Sequence, residues 1–568
     1  MTTAASPTSI AARTGPPATD AEPQSLSATM SRQRVLLVLV SVILGMLLAS
    51  IDQTIVGTAM PRIIAELNGL DHYAWVATSY LLASTVAVPV WGKLSDIYGR
   101  KIFFIGGMVL FLLGSALSGT SQSMTQLIIF RAVQGLGGGA MMPIAMALIG
   151  DLFPPAERGK WQGVLMAIFG LSSIVGPTAG GWITDNWGWR WTFYVNMPVG
   201  AVALVVALLV LPAAGARRAH TIDYLGSLAL IAGAVPLLLA FSWAGTQYAW
   251  GSAQIMGLLA LAVVMLAAFV AIELRAPEPI ITPALFKNRT FSISVLVTFL
   301  TAAGMFGAII YLPLFVQGVL GNSATNSGAV TTPMMVGFIV SSIAGGQILS
   351  RTGRYKVLAV GGFAVAAVGL FLLARMNAST GNGIVIRNMI IMGLGIGVSM
   401  SLFTIIVQNA FPFSYLGQVT ASLTFFRSMG STIGIAVFGS VMTNQFQRAL
   451  AHNLSPALTR AIPPHQLAAF KNPQVLLAPG AAGQIQKAFA RRGPQGLTLF
   501  HQLMQAIRVS LTSAITDLFF VGGCAMVLAL IAVLFLREIP LRKANGAAVT
   551  AGDAPAPDVS FPTAASAR

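Results

Sequence analysis

The chain contains 568 residues, of which 55% are hydrophobic and 9% are charged, and its mean hydropathy is +0.78. This composition is typical of polytopic membrane proteins and argues against a soluble enzyme. The formal net charge of +17 raises nucleic-acid binding as an alternative. The basic residues, however, fall in short loops and form no single basic face, so we expect no nucleic acid as a partner.

Fourteen apolar stretches run along the chain, each near the length of about 20 residues that crosses a bilayer. They are predicted to be helices, because a segment in hydrocarbon must satisfy its own backbone hydrogen bonds. The predicted spans are 35–59, 74–92, 102–120, 124–149, 161–184, 192–212, 223–243, 253–273, 291–316, 327–350, 357–376, 385–409, 418–442 and 513–537.

The first span contains a carboxylate, Asp52, in the stretch LLASIDQTIVG. An acid within a bilayer costs roughly 2.5 to 3.5 kcal/mol on insertion scales, which favours a functional role. Asp52 and Arg131 of the fourth span each lie about 10 Å inside the predicted outer ends of their helices, so they can meet. Burial favours the neutral acid and the arginine favours the carboxylate, so such a pair can load and release a proton. The alternative is a static ion pair.

The second span is followed by the loop motif GKLSDIYGRK. Gly92 and Gly99 allow a tight reversal of the chain, and Asp96 can face a helix N-terminus or a basic partner. Arg100 and Lys101 anchor the membrane edge. We interpret the motif as a conformational latch, with a simple topology anchor as the alternative.

Two glycine-rich segments follow. The sequence GLGGGA at 135–140 resembles a dinucleotide fingerprint, but it lies inside an apolar span with no preceding strand, so we read it as a helix-packing surface. The fifth span has a kinked face of small residues. Such a face permits close helix approach where the two repeated halves of the chain meet. Tight packing and gating both remain open for this face, which comprises Gly170, Gly176, Pro177, Gly180 and Gly181.

The chain contains an internal repeat. The loop GQILSRTGRYK after the tenth span matches the loop after the second, with Gly346 and Gly353 in the places of the two earlier glycines at an offset of 254 residues. Ser350 stands where the first loop has its aspartate, so an acidic latch is expected only in the first half. The same offset relates the first and ninth spans, as in the parallel repeats of secondary transporters.

The repeat predicts an all-α polytopic fold of two six-helix bundles with two additional helices between them. The predicted divisions are a disordered tail at 1–34, a bundle at 35–212, two added helices at 213–290, a bundle at 291–537 and a disordered tail at 538–568. The second bundle includes a loop outside the membrane at 443–512, whose stretch LFHQLMQAIRVSL is amphipathic and is expected to lie at the membrane interface.

The distribution of Lys and Arg predicts the orientation. Only Arg62, Arg190, Arg375 and Arg387 fall in short loops on the side opposite the termini, and most other basic residues fall on the terminal side. The positive-inside rule therefore places both termini in the cytoplasm of a cell-membrane protein. The loop at 443–512 is basic, but loops longer than about 60 residues escape this rule.

A few other ionisable residues lie near the predicted spans. Asp223 and Asp517 are expected to cap the seventh and last helices, and all five histidines are expected in loops. Arg427 has no intramembrane acid in its own half. Backbone carbonyls, a substrate anion and water all remain open as its partner.

The central cavity is expected to be lined by helices of both halves. Flexible thioethers and aromatic faces suit varied apolar or cationic ligands, although core packing is the simpler interpretation for each residue. The ninth to thirteenth spans contain no acid, which favours neutral or monocationic cargo. The candidate lining residues are Met305, Phe306, Tyr311, Met334, Met335, Phe338, Gln408 and Arg427.

Five motifs in order carry a family resemblance: IDQTIVGTAMPRI, GKLSDIYGRK, RAVQGLGGGAMMP, GLSSIVGPTAGGWITD and WGWRWTFYVNMP. With these motifs the chain resembles the fourteen-helix drug:proton antiporter branch of the major facilitator superfamily, over about residues 35 to 540. The resemblance implies export of lipophilic, often cationic compounds in exchange for protons, by alternating access between two halves. It also associates the fifth span with antiport.

The expected energy source is the proton gradient, with no cofactor, no metal and no enzymatic activity. No GxxxxGK[ST] loop is present, which argues against ATP as a direct energy source. The expected partners are protons, small lipophilic substrates and the lipid bilayer, and one chain is expected to function as a monomer. The alternative function is export of a dedicated lipid or an endogenous metabolite.

Overall fold

The computed structural model describes residues 30–67, 73–212, 223–245, 247–277, 279–320, 324–412, 415–456, 458, 486–487, 489–490 and 493–541. Within this part of the chain, fourteen helices are long and apolar enough to cross a membrane. The predicted all-α polytopic fold is therefore confirmed. The two tails predicted to be disordered lie mostly outside the described residues.

Six membrane helices form the first half. A one-turn helix, Trp191–Tyr194, precedes the sixth. The six are α1 (Arg32–Leu67), α2 (Tyr73–Tyr98), α3 (Arg100–Thr120), α4 (Met124–Leu152), α5 (Pro155–Asn186) and α6 (Asn196–Val210).

Two added helices and the second half follow. The added helices are α7 (Tyr224–Trp243) and α8 (Ala253–Glu273). The second half comprises α9 (Arg289–Leu314), α10 (Ala324–Thr352), α11 (Tyr355–Ala374), α12 (Asn382–Ala410), α13 (Leu416–Asn453) and α14 (Gly493–Leu534). A short 3₁₀ helix, Pro283–Lys287, leads into α9, and a π-helical turn, Phe315–Val319, follows it.

Several helices begin at a polar cap, which satisfies an N–H group that the first turn leaves without an intrahelical acceptor. Asp223 Oδ1 accepts from Gly226 N at 2.7 Å at the start of α7, so the predicted cap is confirmed. Asn288 Oδ1 accepts from Thr290 N at 2.9 Å at the start of α9.

The last two helices are longer than the sequence predicts. The stretch LFHQLMQAIRVSL is part of α14 and continues directly into the last span, and its expected position at the membrane interface stays a prediction. Its apolar residues Phe500, Leu503 and Ile507 are buried against protein, and no Gly or Pro separates it from the span. Asp517 consequently lies inside α14 and does not cap it.

The same extensions change the position of two histidines. His452 lies in the last turn of α13 and His501 lies within α14, so neither is in a loop. Asn453 Nδ2 donates to Ser510 Oγ at 3.1 Å, which joins the two extensions.

The two halves repeat one packing pattern. In the first half α2 and α3 pack on α4, and α1 packs on α5; in the second half α10 and α11 pack on α12, and α9 packs on α13. The loops after α2 and α10 both turn through a glycine in the left-handed region, with φ of +102° at Gly99 and +68° at Gly353. Only glycine adopts this conformation without a steric penalty, which explains why both loops contain it.

We call the side of the bundle where α1 begins and α14 ends the terminal side. Toward this side α4 is buried from Gly137 to Leu152, apart from Met142, and α12 is buried from Gly395 to Asn409, apart from Val398. Toward the opposite side each of these helices buries only one face. The two halves are therefore packed closely on the terminal side.

Candidate functional site

Asp52 and Arg131 form an ion pair inside the first half. The Asp52 side chain is fully buried and Arg131 is 2% exposed. Arg131 Nη1 donates to Asp52 Oδ2 at 2.5 Å, which joins α4 to α1. The structure thus brings together the two charges that the sequence places at one depth.

Two amides complete the surroundings of the carboxylate. Gln134 Nε2 donates to Asp52 Oδ1 at 2.8 Å, and Asn196 Nδ2 donates to the same oxygen at 3.0 Å. Asn196 Nδ2 also contacts Ser115 Oγ at 3.1 Å. Sequence reasoning missed all three residues, although Gln134 follows Arg131 by three positions and so shares its helix face.

The arginine is held from a third helix as well. The centre of its guanidinium lies 4.3 Å from the centroid of the Tyr80 ring of α2, a cation–π arrangement. Arg131 Nη1 also donates to Gln134 Oε1 at 2.8 Å. Asp52 acts only as an acceptor in these hydrogen bonds, so a protonated Asp52 would bring a fourth donor into a cluster of donors. Protonation must then rearrange at least one contact.

The loop after α2 forms a second charged cluster. Arg100 forms an ion pair with Asp96, and its Nε donates to Asp151 Oδ2 at 3.0 Å. A Cβ at Gly417, in the first turn of α13, would overlap Asp96 Oδ1. Asp96 therefore faces both of its expected partners, a basic residue and a helix N-terminus. Lys101 Nζ donates to Leu208 O at 2.6 Å at the edge of the bundle.

Glycines permit close contact between the halves at two related places. A Cβ at Gly92 of α2 would overlap the Ala421 side chain of α13. A Cβ at Gly346 of α10 would overlap the carbonyl oxygen of Gly159 in α5. Because Gly92 and Gly346 correspond in the repeat, each half contributes one equivalent glycine contact to the closed terminal side.

Gln408 lies in this contact between the halves. Its Oε1 accepts from Gln162 Nε2 at 3.0 Å, and its Nε2 donates to Thr420 Oγ1 at 3.0 Å and to Met146 O at 3.2 Å. Gln408 is therefore a buried hydrogen-bonding residue of the closed terminal side and does not line the pocket described below. The sequence could not indicate this role, because the partners of Gln408 lie on three other helices.

The small-residue face of α5 divides between two neighbours. Gly170 lies against Phe338 and Ile339 of the second half, as expected. Gly176 and Gly180, by contrast, pack against Thr54, Ile55 and Thr58 of α1, within the first half. Gly181 has no atom within 4 Å of its Cβ position, and Pro177 lies inside the helix. Gly176 and Gly180 therefore pack within one bundle, and of the four glycines only Gly170 contacts the other half.

One side chain attaches the added helices to the second half. Gln418, in the first turn of α13, donates through Nε2 to Pro279 O at 3.0 Å, Ile280 O at 2.8 Å and Thr282 Oγ1 at 2.9 Å. These acceptors lie in the segment between α8 and α9. Gln418 is adjacent to the glycine that Asp96 contacts, so the segment and the latch share one helical turn.

A small, partly open pocket lies where α5 meets the second half. Four predicted lining residues, Met305, Met334, Met335 and Phe338, are among those that form it. Its remaining walls are Phe169, Gly393 and Ile396. Thioether and aromatic walls of this kind accommodate apolar ligands of varied shape.

The other predicted lining residues lie outside this pocket. The Phe306 ring packs edge-on to the Phe169 ring with centroids 6.4 Å apart, and Tyr311 lies against Gly439 of α13. Arg427 lies between α13 and α4. Among the described residues no cluster of three or more His, Cys, Asp or Glu side chains could hold a metal ion.

The sequence model of the Major Facilitator Superfamily matches residues 42–435. The chain belongs to this family. The recognition made from the motifs is thereby confirmed, and the protein is a multi-pass membrane transporter and not an enzyme.

Three bacterial transporters have sequences similar to this chain. Multidrug transporter protein MdtP of Bacillus subtilis is 41% identical over 518 residues, covering 89% of this chain and 93% of that protein. Multidrug resistance protein 3 of the same organism is 37% identical over 501 residues, covering 88% and 95%. The uncharacterized MFS-type transporter Rv1877 of Mycobacterium tuberculosis is 38% identical over 546 residues, covering 95% and 75%.

Solved structures of superfamily members share the fold. The proton:xylose symporter XylE superposes with a TM-score of 0.57 at 14% identity, covering 91% of this chain and 99% of XylE. The human organic anion transporter MFSD10 superposes with a TM-score of 0.56 at 14% identity, covering 88% and 100%. At this identity the likeness concerns the fold alone.

Proposed function

We propose that the chain is a proton-coupled multidrug antiporter that exports lipophilic or monocationic compounds by alternating access. The observation that carries this proposal is the fully buried Asp52, surrounded by the N–H donors of Arg131, Gln134 and Asn196. An ionisable group inside a membrane is costly and is generally functional. Because protonation must rearrange its contacts, proton binding at Asp52 is linked to the packing of α1, α4 and α6.

The relatives support the choice of cargo. Two transporters that match most of this chain are named for multidrug transport or resistance. The pocket walls of thioethers and aromatic rings suit such cargo. Helices α9 to α13 contain no acidic residue to balance a second positive charge, which favours neutral compounds and monocations.

The orientation belongs to the same proposal. The excess of Lys and Arg in loops on the terminal side favours a cytoplasmic location of that side. The described conformation is then closed to the cytoplasm, as in the step that releases cargo outside. We propose one chain in the cytoplasmic membrane as the working unit, without a cofactor.

The proton gradient supplies enough free energy for this exchange. Each proton yields about 2.3 kcal/mol per 100 mV of membrane potential. A pH difference adds about 1.4 kcal/mol per unit. For a neutral cargo both terms act together and sustain a concentration ratio well above tenfold, since each tenfold step requires about 1.4 kcal/mol. Exchange of one proton for one monocation moves no net charge, so that exchange is driven by the pH term alone.

The test is proton-driven transport in liposomes with an imposed pH gradient. We expect Asp52→Asn to reduce dye transport by more than about tenfold, because the side chain no longer exchanges a proton. The matched control is Glu66→Gln, which neutralises an acid that pairs with Arg190 at the membrane edge. A variant Asp52→Asn with full proton-dependent transport would contradict the proposal. Lipid transfer by the wild type without any dye transport would favour the dedicated lipid exporter instead.

A further inference from the structure

Arg427 is a buried cation at the interface between the two halves. Its side chain lies in α13 and is 7% exposed. Its Nη2 lies 3.2 Å from the sulfur of Met142 in α4. Within the part of the chain that the structure describes, this is the one polar contact of the guanidinium.

The contact lies near the middle of the membrane. Arg427 follows the first residue of α13 by about 16 Å of helix, and Met142 precedes the last residue of α4 by about 15 Å. The hydrocarbon core is about 30 Å thick, so both residues lie near its centre. The continuously buried stretch of α13 on the closed terminal side runs from Leu416 to Phe425 and ends close to this level. Arg427 therefore lies where the packed interface ends.

Among the residues that the structure describes, this arginine has no counter-ion. The ion pairs of the described residues join Arg100, Arg131 and Arg190 to acids, and none includes Arg427. A thioether is only a weak acceptor, whereas a guanidinium has five N–H donors. Burying a charge without a partner costs several kcal/mol. A static packing role would not require a charge here, because an apolar side chain would pack against Met142 without that cost.

We infer that Arg427 binds an anionic group of the cargo, with a carboxylate on an otherwise apolar molecule as the ligand class. The inference rests on the proposed export function and extends it, because it adds zwitterions and amphiphilic acids to the expected cargo. The planar guanidinium matches a carboxylate through two parallel hydrogen bonds. The Met142 side chain is flexible and can move aside for the apolar body of the ligand.

Two dyes that differ by one ester group provide the probe. Rhodamine B carries a free carboxylate, and its ethyl ester carries none. Binding of each dye to the purified full-length protein is measured by fluorescence anisotropy in an uncharged detergent, and transport of each is measured in liposomes. For Arg427→Gln we expect the Kd of rhodamine B to rise by about tenfold or more, and that of the ester to change by less than about twofold. Arg427→Lys should recover part of the lost affinity, because it retains the charge.

The matched control is Arg387→Gln, which removes an exposed arginine of α12 that contacts Asn388. It should change neither Kd. Unchanged binding of the ester by Arg427→Gln also verifies that this variant is folded. Equal losses for both dyes, or binding of the ester alone by the wild type, would overturn the inference.

A lipid headgroup is a different source of the same anionic chemistry. If phosphatidylglycerol stabilises the wild type more than Arg427→Gln while the two dyes remain indistinguishable, Arg427 is a lipid contact and the inference is overturned. Failure of the proposed function is distinguishable from these outcomes. In that case the wild type binds the dyes but transports neither under a pH gradient.

Discussion

Arg131 in the first half and Arg427 in the second are both buried far from the helix ends, with opposite surroundings. Arg131 in the first half has a carboxylate, an amide and an aromatic face. Arg427 in the second half has the sulfur of Met142. The two halves therefore have the same helix packing but differ in how their buried charges are paired. The first half provides its own counter-ion, and the second leaves that place to a ligand.

The loops after α2 and α10 show the same difference. Both contain a glycine at the contact between the halves and a glycine with positive φ at the turn. Only the first has an acid: Asp96 faces Arg100 and α13, whereas Ser350 donates to Gly346 O within its own helix at 2.9 Å. The glycines that permit close contact and a tight turn are therefore present in both loops, whereas the acidic residue is present only in the first.

The largest expected effect is the difference in stability between the variants of the two arginines. Arg131→Gln leaves a buried carboxylate without its charge partner, which should cost about 3 to 5 kcal/mol of stability. Arg427→Gln removes a charge that has no counter-ion among the described residues and should leave stability unchanged or raise it. Thermal unfolding of the purified variants measures both changes. Equal destabilisation by the two substitutions would contradict the comparison.

The next effect concerns Gln418, whose hydrogen bonds attach the segment after the added helices to the second half. The repeat places Val164 where the second half has Gln418. Gln418→Ala removes the two N–H donors that three acceptors share, each hydrogen bond being worth about 0.5 to 1.5 kcal/mol, and should lower the unfolding temperature. Gln505→Ala, at an exposed position of α14, is the control. If the two substitutions lower the unfolding temperature equally, the attachment contributes nothing.

The latch provides a third test. Asp96→Ser makes the first loop resemble the second and removes a charge from Arg100 and the first turn of α13. A charge at such a place contributes about 0.3 to 2 kcal/mol, so closure of the terminal side should weaken and transport should slow. Ser350→Ala, its counterpart, should change transport by less than about twofold. Initial rates in liposomes measure both, and equal rates for the two variants would disprove an acidic latch.

The smallest effect concerns an exposed ion pair at the membrane edge. Hydrogen bonds from Arg190 and Trp189 hold the pKa of Glu66 below its usual value. The resulting stabilisation is present above the unfolded pKa and is lost as the pH falls through the lowered, folded pKa. At neutral pH Glu66→Gln should cost less than about 1 kcal/mol, because the pair is exposed. The difference in unfolding temperature between wild type and variant should vanish in acid, and a difference that persists there would exclude this ion pair as its cause.

Some of the site could be predicted from the sequence, and the limit has a physical cause. The depth of Asp52 and Arg131 follows from helix rise and span length, which are local properties. Gln134 could have been found, since it shares a helix face with Arg131. Asn196 could not, because its contact with Asp52 depends on how α6 packs against α1. Gln408 was misplaced for the same reason, since its partners lie far away in the sequence.

The sequence by itself determined which segments cross the membrane, where the chain turns on glycine and at what depth the charges lie, because hydrophobic length and helical rise act within one segment. The tertiary structure alone decided which donors surround Asp52, which side of the bundle is closely packed and that Arg427 contacts the thioether of Met142. These features depend on contacts between helices that are distant along the chain, and no local pattern encodes such contacts.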